Sequence, residues 1–237
     1  MHRYSGVITD VDGPPAVGGR PAWHIPVGVD PLAPTSRALR DDVVDALCDS
    51  LGLDPERPII VQSACHSGVT GISDGIDAYW ALEESRSALQ FAVLGPVART
   101  AFDGARADAL AARATEDPDL HVLSSLTEPE VNAVRTRASL AVQTSHTVGS
   151  DLDVVEGWWK ARPVVRTPPR RGGIVVGPAL RARTRAELHS FMQIALVDAE
   201  RASRLGRCGH ERVRERLLIP SSLAAWLRVL TGTTSAR

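Results

Sequence analysis

Five short apolar runs, set among segments of helical periodicity, constrain this chain more than any other feature. They are PIIVQSA (58–64), LQFAVLG (89–95), LHVLSS (120–125), LAVQT (140–144) and PVVRT (163–167). Each is five to seven residues long, which is strand length, and each is largely apolar without strict alternation. That is the pattern of strands buried on both faces. GGIVVG (172–177) reads as a short sixth strand.

Helical segments lie between the runs. Residues 36–51 place Leu39, Val43, Val44, Leu47 and Leu51 on one stripe, and 72–85 carry Ile76, Tyr79, Trp80 and Leu82. An Ala-rich helix is predicted near 98–114, and DVVEGWWK (153–160) reads as another. Thr127 and Glu130 have the spacing of a capping box, with a helix to about residue 137. Thr184 and Glu187 repeat that spacing, and the helix they open aligns Leu188, Phe191, Met192, Ala195 and Leu196. Two more helices are predicted near 206–217 and 221–231.

Strands alternating with helices imply a parallel sheet covered on both faces. The expected fold is therefore α/β: a doubly wound, Rossmann-like domain with a helical C-terminal tail. The 237 residues suit one large α/β domain or two small ones. Residues 1–35 are rich in Gly and Pro and read as an extended arm or linker, with at most a short strand in YSGVIT. The domain is expected to occupy 36–237, with no internal repeat.

Net charge is −1, so no overall basic field recruits nucleic acid. Three cysteines, Cys48, Cys65 and Cys208, form no disulfide framework and suit a reducing compartment. MHRYSGVITD has no apolar leader core, and no apolar run reaches membrane-spanning length. A cytoplasmic protein is expected. Lys160 is the only lysine and Asn132 the only asparagine, so base-composition bias accounts for much of the arginine.

Ligands of doubly wound sheets bind outside the carboxyl ends of the strands. Two loops therefore matter most, Cys65–Gly71 and Ser145–Asp151. Cys65-His66-Ser67-Gly68, after a buried strand, looks like the nucleophile loop of caspase-like peptidases. Such a nucleophile needs a histidine from another strand end. His24 lies about 40 residues upstream within AWHIP, not in a Gly-flanked loop, and His66 is a chain neighbour. The peptidase reading is therefore set aside.

Cys208 and His210 supply at most two metal ligands, and no second pair stands at zinc-site spacing, so no metal is expected. His146 could donate to a phosphate or a sugar hydroxyl, although a solvent-facing loop histidine is the plainer reading. No dinucleotide or P-loop signature is present. Trp158 and Trp159 are neighbours on one helix and point to different sides, so at least one belongs to the core.

An ordered series of segments resembles a known family. IPVGVDPL (25–32), GLDPERPIIVQ (52–62), GIDAYWALEES (75–85) and HVLSS (121–125) are the first four. VNAVRTRASLAVQTS (131–145), VVEGWWKARPVV (154–165) and GHERVRERLLIPSSLAAWL (209–227) continue the series. Together they look like the C-terminal half of trehalose synthase-type glycosyltransferases, which are retaining, nucleotide-sugar-dependent enzymes of the GT-B class. The resemblance implies a donor-binding domain, with residues 1–35 as the tail of a first, acceptor-binding domain. It implies hexosyl transfer from a nucleotide-sugar donor to a sugar acceptor, with no metal or other cofactor.

The family pattern also places a donor site. Its arginine and lysine after the first core strand fall at Cys65 and Thr70, so both cations are absent. Its first glutamate falls at Val148, followed by Gly149, Ser150, Asp151 and Leu152, whose backbone would approach sugar and phosphate. Its second glutamate is retained as Glu156, which the resemblance assigns to the nucleotide ribose. Lys160 and Pro163 also match, and the resemblance sets Gly172 and Gly173 against the family's glycine pair.

Losing one charge-stabilising group commonly costs about 10²–10³ in rate. Asp151 adds a negative charge near the phosphate position. Arg170 and Arg171 sit in a neighbouring loop where they could compensate, but a solvated loop is the plainer reading. Two readings stay open: an active hexosyltransferase domain, or a catalytically inactive glycosyltransferase-like binding module or subunit. The lost cations favour inactivity for the isolated chain, or a need for a separate N-terminal Rossmann-like domain or subunit.

Overall fold

The computed structural model describes residues 7–9, 16–17, 20–25, 27–63, 68–82, 88–95, 101–144, 151–167 and 177–232. The chain begins with β1 (Val7–Thr9), β2 (Ala16–Val17) and β3 (Arg20–His24). It continues through α1 (Asp41–Ser50), β4 (Ile59–Ser63), α2 (Gly68–Trp80), β5 (Gln90–Leu94), α3 (Ala101–Glu116) and β6 (Leu120–Leu123). Then come α4 (Glu128–Arg137), β7 (Leu140–Gln143), α5 (Leu152–Trp159), β8 (Val164–Arg166) and β9 (Leu180–Arg181). Three helices finish it: α6 (Arg185–Val197), α7 (Ala199–Arg216) and α8 (Ile219–Leu230).

Strands β4 to β9 form one parallel sheet in the order β6-β5-β4-β7-β8-β9. Alternate residues along each strand feed two separate cores. Ile60, Phe91, Val93, Leu140, Val142 and Val165 join Ile72, Ile76, Tyr79, Leu188 and Met192 on the α2 and α6 face. Ile59, Val61, Ala92, Leu94, Ala141 and Val164 join Val44, Val134, Val154, Trp158 and Val213 on the opposite face. Because both faces are buried, both residue parities are apolar, which is why the strands read as continuous runs. The sheet is doubly wound, as the sequence implies.

Trp158 is fully buried on the second face. Its ring lies in a slot between two glycines. A Cβ on Gly177 would come within 2.2 Å of the ring, and one on Gly209 within 2.4 Å. Gly206 of α7 comes equally close to the backbone, since a Cβ there would meet the Ala161 carbonyl at 2.0 Å. At Gly206, helix α7 therefore packs directly against the backbone at the end of α5.

Several boundaries differ from the sequence expectations. Helix α1 starts at Asp41 because residues 31–37 form turns. Helix α7 starts at Ala199, well before residue 206, because the Asp198 carboxylate accepts the Arg201 N–H at 2.9 Å. The segment predicted as a sixth strand, 172–177, lies outside the described residues except for Gly177; the sixth strand of the sheet is Leu180–Arg181. The N-terminal region holds more than an arm, since β1, β3 and β2 form a small three-stranded sheet.

Both expected caps form. Glu130 accepts from the Thr127 N–H at 2.6 Å, and the Thr184 hydroxyl accepts from the Glu187 N–H at 3.1 Å. The segment before α1 joins the C-terminal tail: Val29 donates to the Leu217 carbonyl at 2.7 Å and accepts from the Ile219 N–H at 3.0 Å. No helix among the described residues is long and apolar enough to cross a membrane. The tail helix α8 buries none of its residues. Ile219, Leu223, Trp226, Leu227 and Leu230 line one stripe, each more than 40% exposed.

Candidate functional site at the carboxyl ends of the central strands

The strand order reverses direction between β4 and β7. In open α/β sheets the crevice outside the carboxyl ends at such a point is where ligands bind. The side chains mark the same place. β4 ends in Gln62 and Ser63, β7 runs into Gln143 and Thr144, and β8 ends in Arg166, all of them buried. β5 and β6 end instead in Leu94 and Leu123. Burying polar side chains costs free energy unless they are paired, so their concentration on three adjacent strands sets this end apart.

Part of the cluster braces the strands. Gln62 Nε2 donates to Thr144 Oγ1 at 2.6 Å and to the Gly71 carbonyl at 3.2 Å, and the Thr144 hydroxyl also donates to that carbonyl. These bonds tie β4, β7 and the start of α2 together. Gly75 of α2 makes room, because a Cβ there would lie 2.0 Å from Gln62 Oε1.

On the α5 face, Arg135 of α4 is the hub. It donates to Ser63 Oγ at 3.0 Å, pairs with Asp153 at 3.1 Å and pairs with Glu156. All three charged side chains are at least 84% buried. Glu156, which the resemblance assigns to ribose, is thus already fixed by a cation from the neighbouring helix.

Asp151 occupies the N-cap position of α5, and Leu152 is its first residue. The sequence gives Asp151 the part of an added negative charge; the structure corrects this. Arg166 Nη2 donates to Asp151 Oδ1 at 2.6 Å, and both side chains are more than 90% buried. The charge is matched. Sequence reading missed Arg166, although the signal stood in PVVRT, where an arginine ends a strand expected to be buried on both faces.

Gly149, Ser150, Val148 and His146 lie outside the described residues, as do Cys65, Arg170, Arg171, Gly172 and Gly173. Thr70 lies in the first turn of α2, its side chain likewise outside the description.

Lys160 does something the resemblance does not assign. Its Nζ donates to the Ser36 carbonyl at 3.0 Å and to Asn132 Oδ1. Asn132 Nδ2 donates in turn to the carbonyls of Pro34, at 2.7 Å, and Arg37, at 2.9 Å. Trp159 Nε1 shares the Ser36 carbonyl at 2.7 Å. One turn of chain before α1 is thereby held by its carbonyls to α4 and α5. His210 stacks on Trp159 at 5.0 Å, and its Nδ1 is hydrogen-bonded to the Trp159 carbonyl at 2.7 Å, so it belongs to the packing of α7.

Burial pushes the Lys160 ammonium down to about 8, assisted by nearby Arg135 and Arg162 and opposed by Glu156. The folded pKa therefore lies below the unfolded one, and between the two the unfolded chain binds more protons. Stability should rise as pH increases from about 8 toward 10.5. Urea unfolding of the native chain and Lys160→Met on both sides of that window checks this. The difference should move in favour of the native chain at the alkaline end; a pH-independent difference contradicts it.

The comparisons in sequence and in fold make this a glycosyltransferase-like domain of the GT-B class. In sequence the chain is similar to trehalose synthases and corresponds to a C-terminal half. It is 33% identical over 224 residues to the trehalose synthase of Rubrobacter xylanophilus, covering 91% of this chain and 53% of that protein. The chain therefore spans about half the length of the curated relatives it matches. Among solved structures, Anabaena HepE in complex with UDP and glucose superposes with a TM-score of 0.77 at 14% identity, over 96% of this chain and 63% of that one. Sucrose-phosphate synthase from Thermosynechococcus elongatus gives 0.67 at 17% identity, over 91% and 54%. No family model matches the chain.

Proposed function

We propose that this chain is the donor-side domain of a trehalose synthase-like hexosyltransferase and holds a nucleotide-sugar at the carboxyl ends of β4, β7 and β8. The buried polar residues gathered at the strand-order reversal carry this reading. In it, Glu156 meets the ribose, while the backbone of Gly149, Ser150, Asp151 and Leu152 approaches sugar and phosphate. Residues 1–35 are the remnant of an N-terminal domain, and 36–237 the donor domain. In this reading, transfer to a sugar acceptor also needs an N-terminal Rossmann-like domain, which a separate domain or subunit could supply. The exposed apolar stripe of α8 supports such a partner, because apolar surface of this kind is ordinarily covered. The sparse cysteines support a cytoplasmic setting.

A second reading is favoured by one observation. Cys65 and Thr70 stand where the resemblance expects two cations, so the domain can bind a donor without cleaving it. Calorimetric titration with UDP-glucose and ADP-glucose tests the binding both readings share. Submillimolar binding weakened about tenfold by Glu156→Gln is expected, the loss of one charged hydrogen-bond acceptor. No heat of binding at several millimolar donor would overturn the assignment. Glu156→Gln suits the test better than alanine because it keeps the side-chain volume beside Arg135.

A further inference from the structure

Arg166 presents a problem that its ion pair does not solve. It is 2% exposed, yet it makes one side-chain hydrogen bond among the described residues, through Nη2 to Asp151. Its Nε and Nη1 have no hydrogen-bond partner among those residues. A buried guanidinium offers five N–H groups, and leaving such donors unmatched is costly. They sit at the carboxyl end of β8, two strands from β4 and next to β7. The other partner, Asp151, is the N-cap residue of α5. A helix N-terminus favours negative charge, so the Asp151 carboxylate occupies the position that suits an anion best.

We propose that Arg166 is an oxyanion-binding residue of the donor site and that Asp151 is its internal placeholder, exchanged for a phosphoryl oxygen when a nucleoside diphosphate binds. The inference rests on the donor-site reading above and adds to it a cation supplied by β8 rather than by the loop after β4. The missing charges at Cys65 and Thr70 are then partly replaced from the other side of the strand-order reversal. Arg166 binds the phosphoryl group as a planar donor set, and the α5 N-terminus adds its own N–H groups. Asp151 holds the guanidinium in place while the site is empty.

Titration of the full chain with inorganic pyrophosphate, UDP and uridine separates the possibilities. Arg166→Gln should weaken pyrophosphate and UDP by about tenfold or more, the loss of a charge-assisted contact, and leave uridine unchanged. Asp151→Asn should tighten pyrophosphate and UDP, because the competing carboxylate is gone. That gain cannot come from damage to the fold, so it protects the test if Arg166→Gln is unstable. Pyrophosphate and UDP affinities indifferent to both substitutions would overturn the inference and leave the donor site standing. Absence of pyrophosphate binding to both the native chain and Asp151→Asn would also overturn it. Pyrophosphate binding that follows both substitutions, without UDP or uridine preference, would keep the oxyanion seat and sink the nucleotide-sugar reading.

Discussion

Trp158→Ala is expected to lower the unfolding free energy by about 3–5 kcal/mol, the range for removing a fully buried aromatic side chain. The ring is shared between α5, α7 and the turn at Gly177, so its loss opens a space that three separate segments would have to fill. The two glycines at its opposite ends give a sharper measurement. Gly209→Ala in the native chain puts a methyl 2.4 Å from the ring, an overpacking expected to cost about 1–3 kcal/mol. In the Trp158→Ala background the contacts with the ring are gone and only the Cβ of residue 158 stays close, at 3.0 Å, so the cost should fall by more than half. Urea denaturation of the four chains of that cycle, followed by circular dichroism, gives the coupling directly. Additive losses would mean that the slot closes on itself when the ring is removed.

Arg135→Met is the second large effect. It leaves Asp153 and Glu156 facing one another beside Ser63, 11% and 16% exposed, without their cation. Breaking a buried pair from one side typically costs about 3–5 kcal/mol; partial exposure puts this loss near the lower end. Neutralising the whole cluster, as Arg135→Met with Asp153→Asn and Glu156→Gln, should recover most of it, because replacing all members of a buried ionic group is often nearly neutral. If the triple variant is no more stable than the single one, the loss comes from packing of the Arg135 stem and not from stranded charge. Glu156→Gln in the same series separates this structural role from any part in donor binding.

The sheet was legible in the sequence because each strand carries apolar residues of both parities and is bounded by Pro, Gly or a polar pair. Ile59 and Ile60 feed opposite cores, and that requirement leaves little freedom of assignment. The caps at Thr127 and Thr184 were legible for a local reason, since each depends on residues three apart. Helix α7 was cut short in the sequence reading because its first turns, AERASRLGR, are mostly polar or small and carry no apolar stripe. Of the small N-terminal sheet, β1 falls within YSGVIT, where a short strand was legible; β2 and β3 were hidden by glycine and proline, which report turns but not the two- to five-residue strands between them.

The topology points to a candidate site and the resemblance assigns Glu156 to it, but the pairings within it were not legible in the sequence. The pairing of Arg166 with Asp151 links residues 15 positions apart, across a loop and two elements. Charge on a sequence has no partner until the fold supplies one, so Asp151 read as repulsive when it is matched. Among many arginines, Arg166 differed only in ending a buried strand.

The single lysine has a practical consequence. An amine-directed acylating reagent meets one side-chain target in this chain, and that target is folded away beneath the turn at residues 34–37. Its rate of modification therefore clocks how often that turn lifts off α4 and α5. If a partner domain joins the chain through this segment, its arrival or departure should be readable as protection or exposure of one amine.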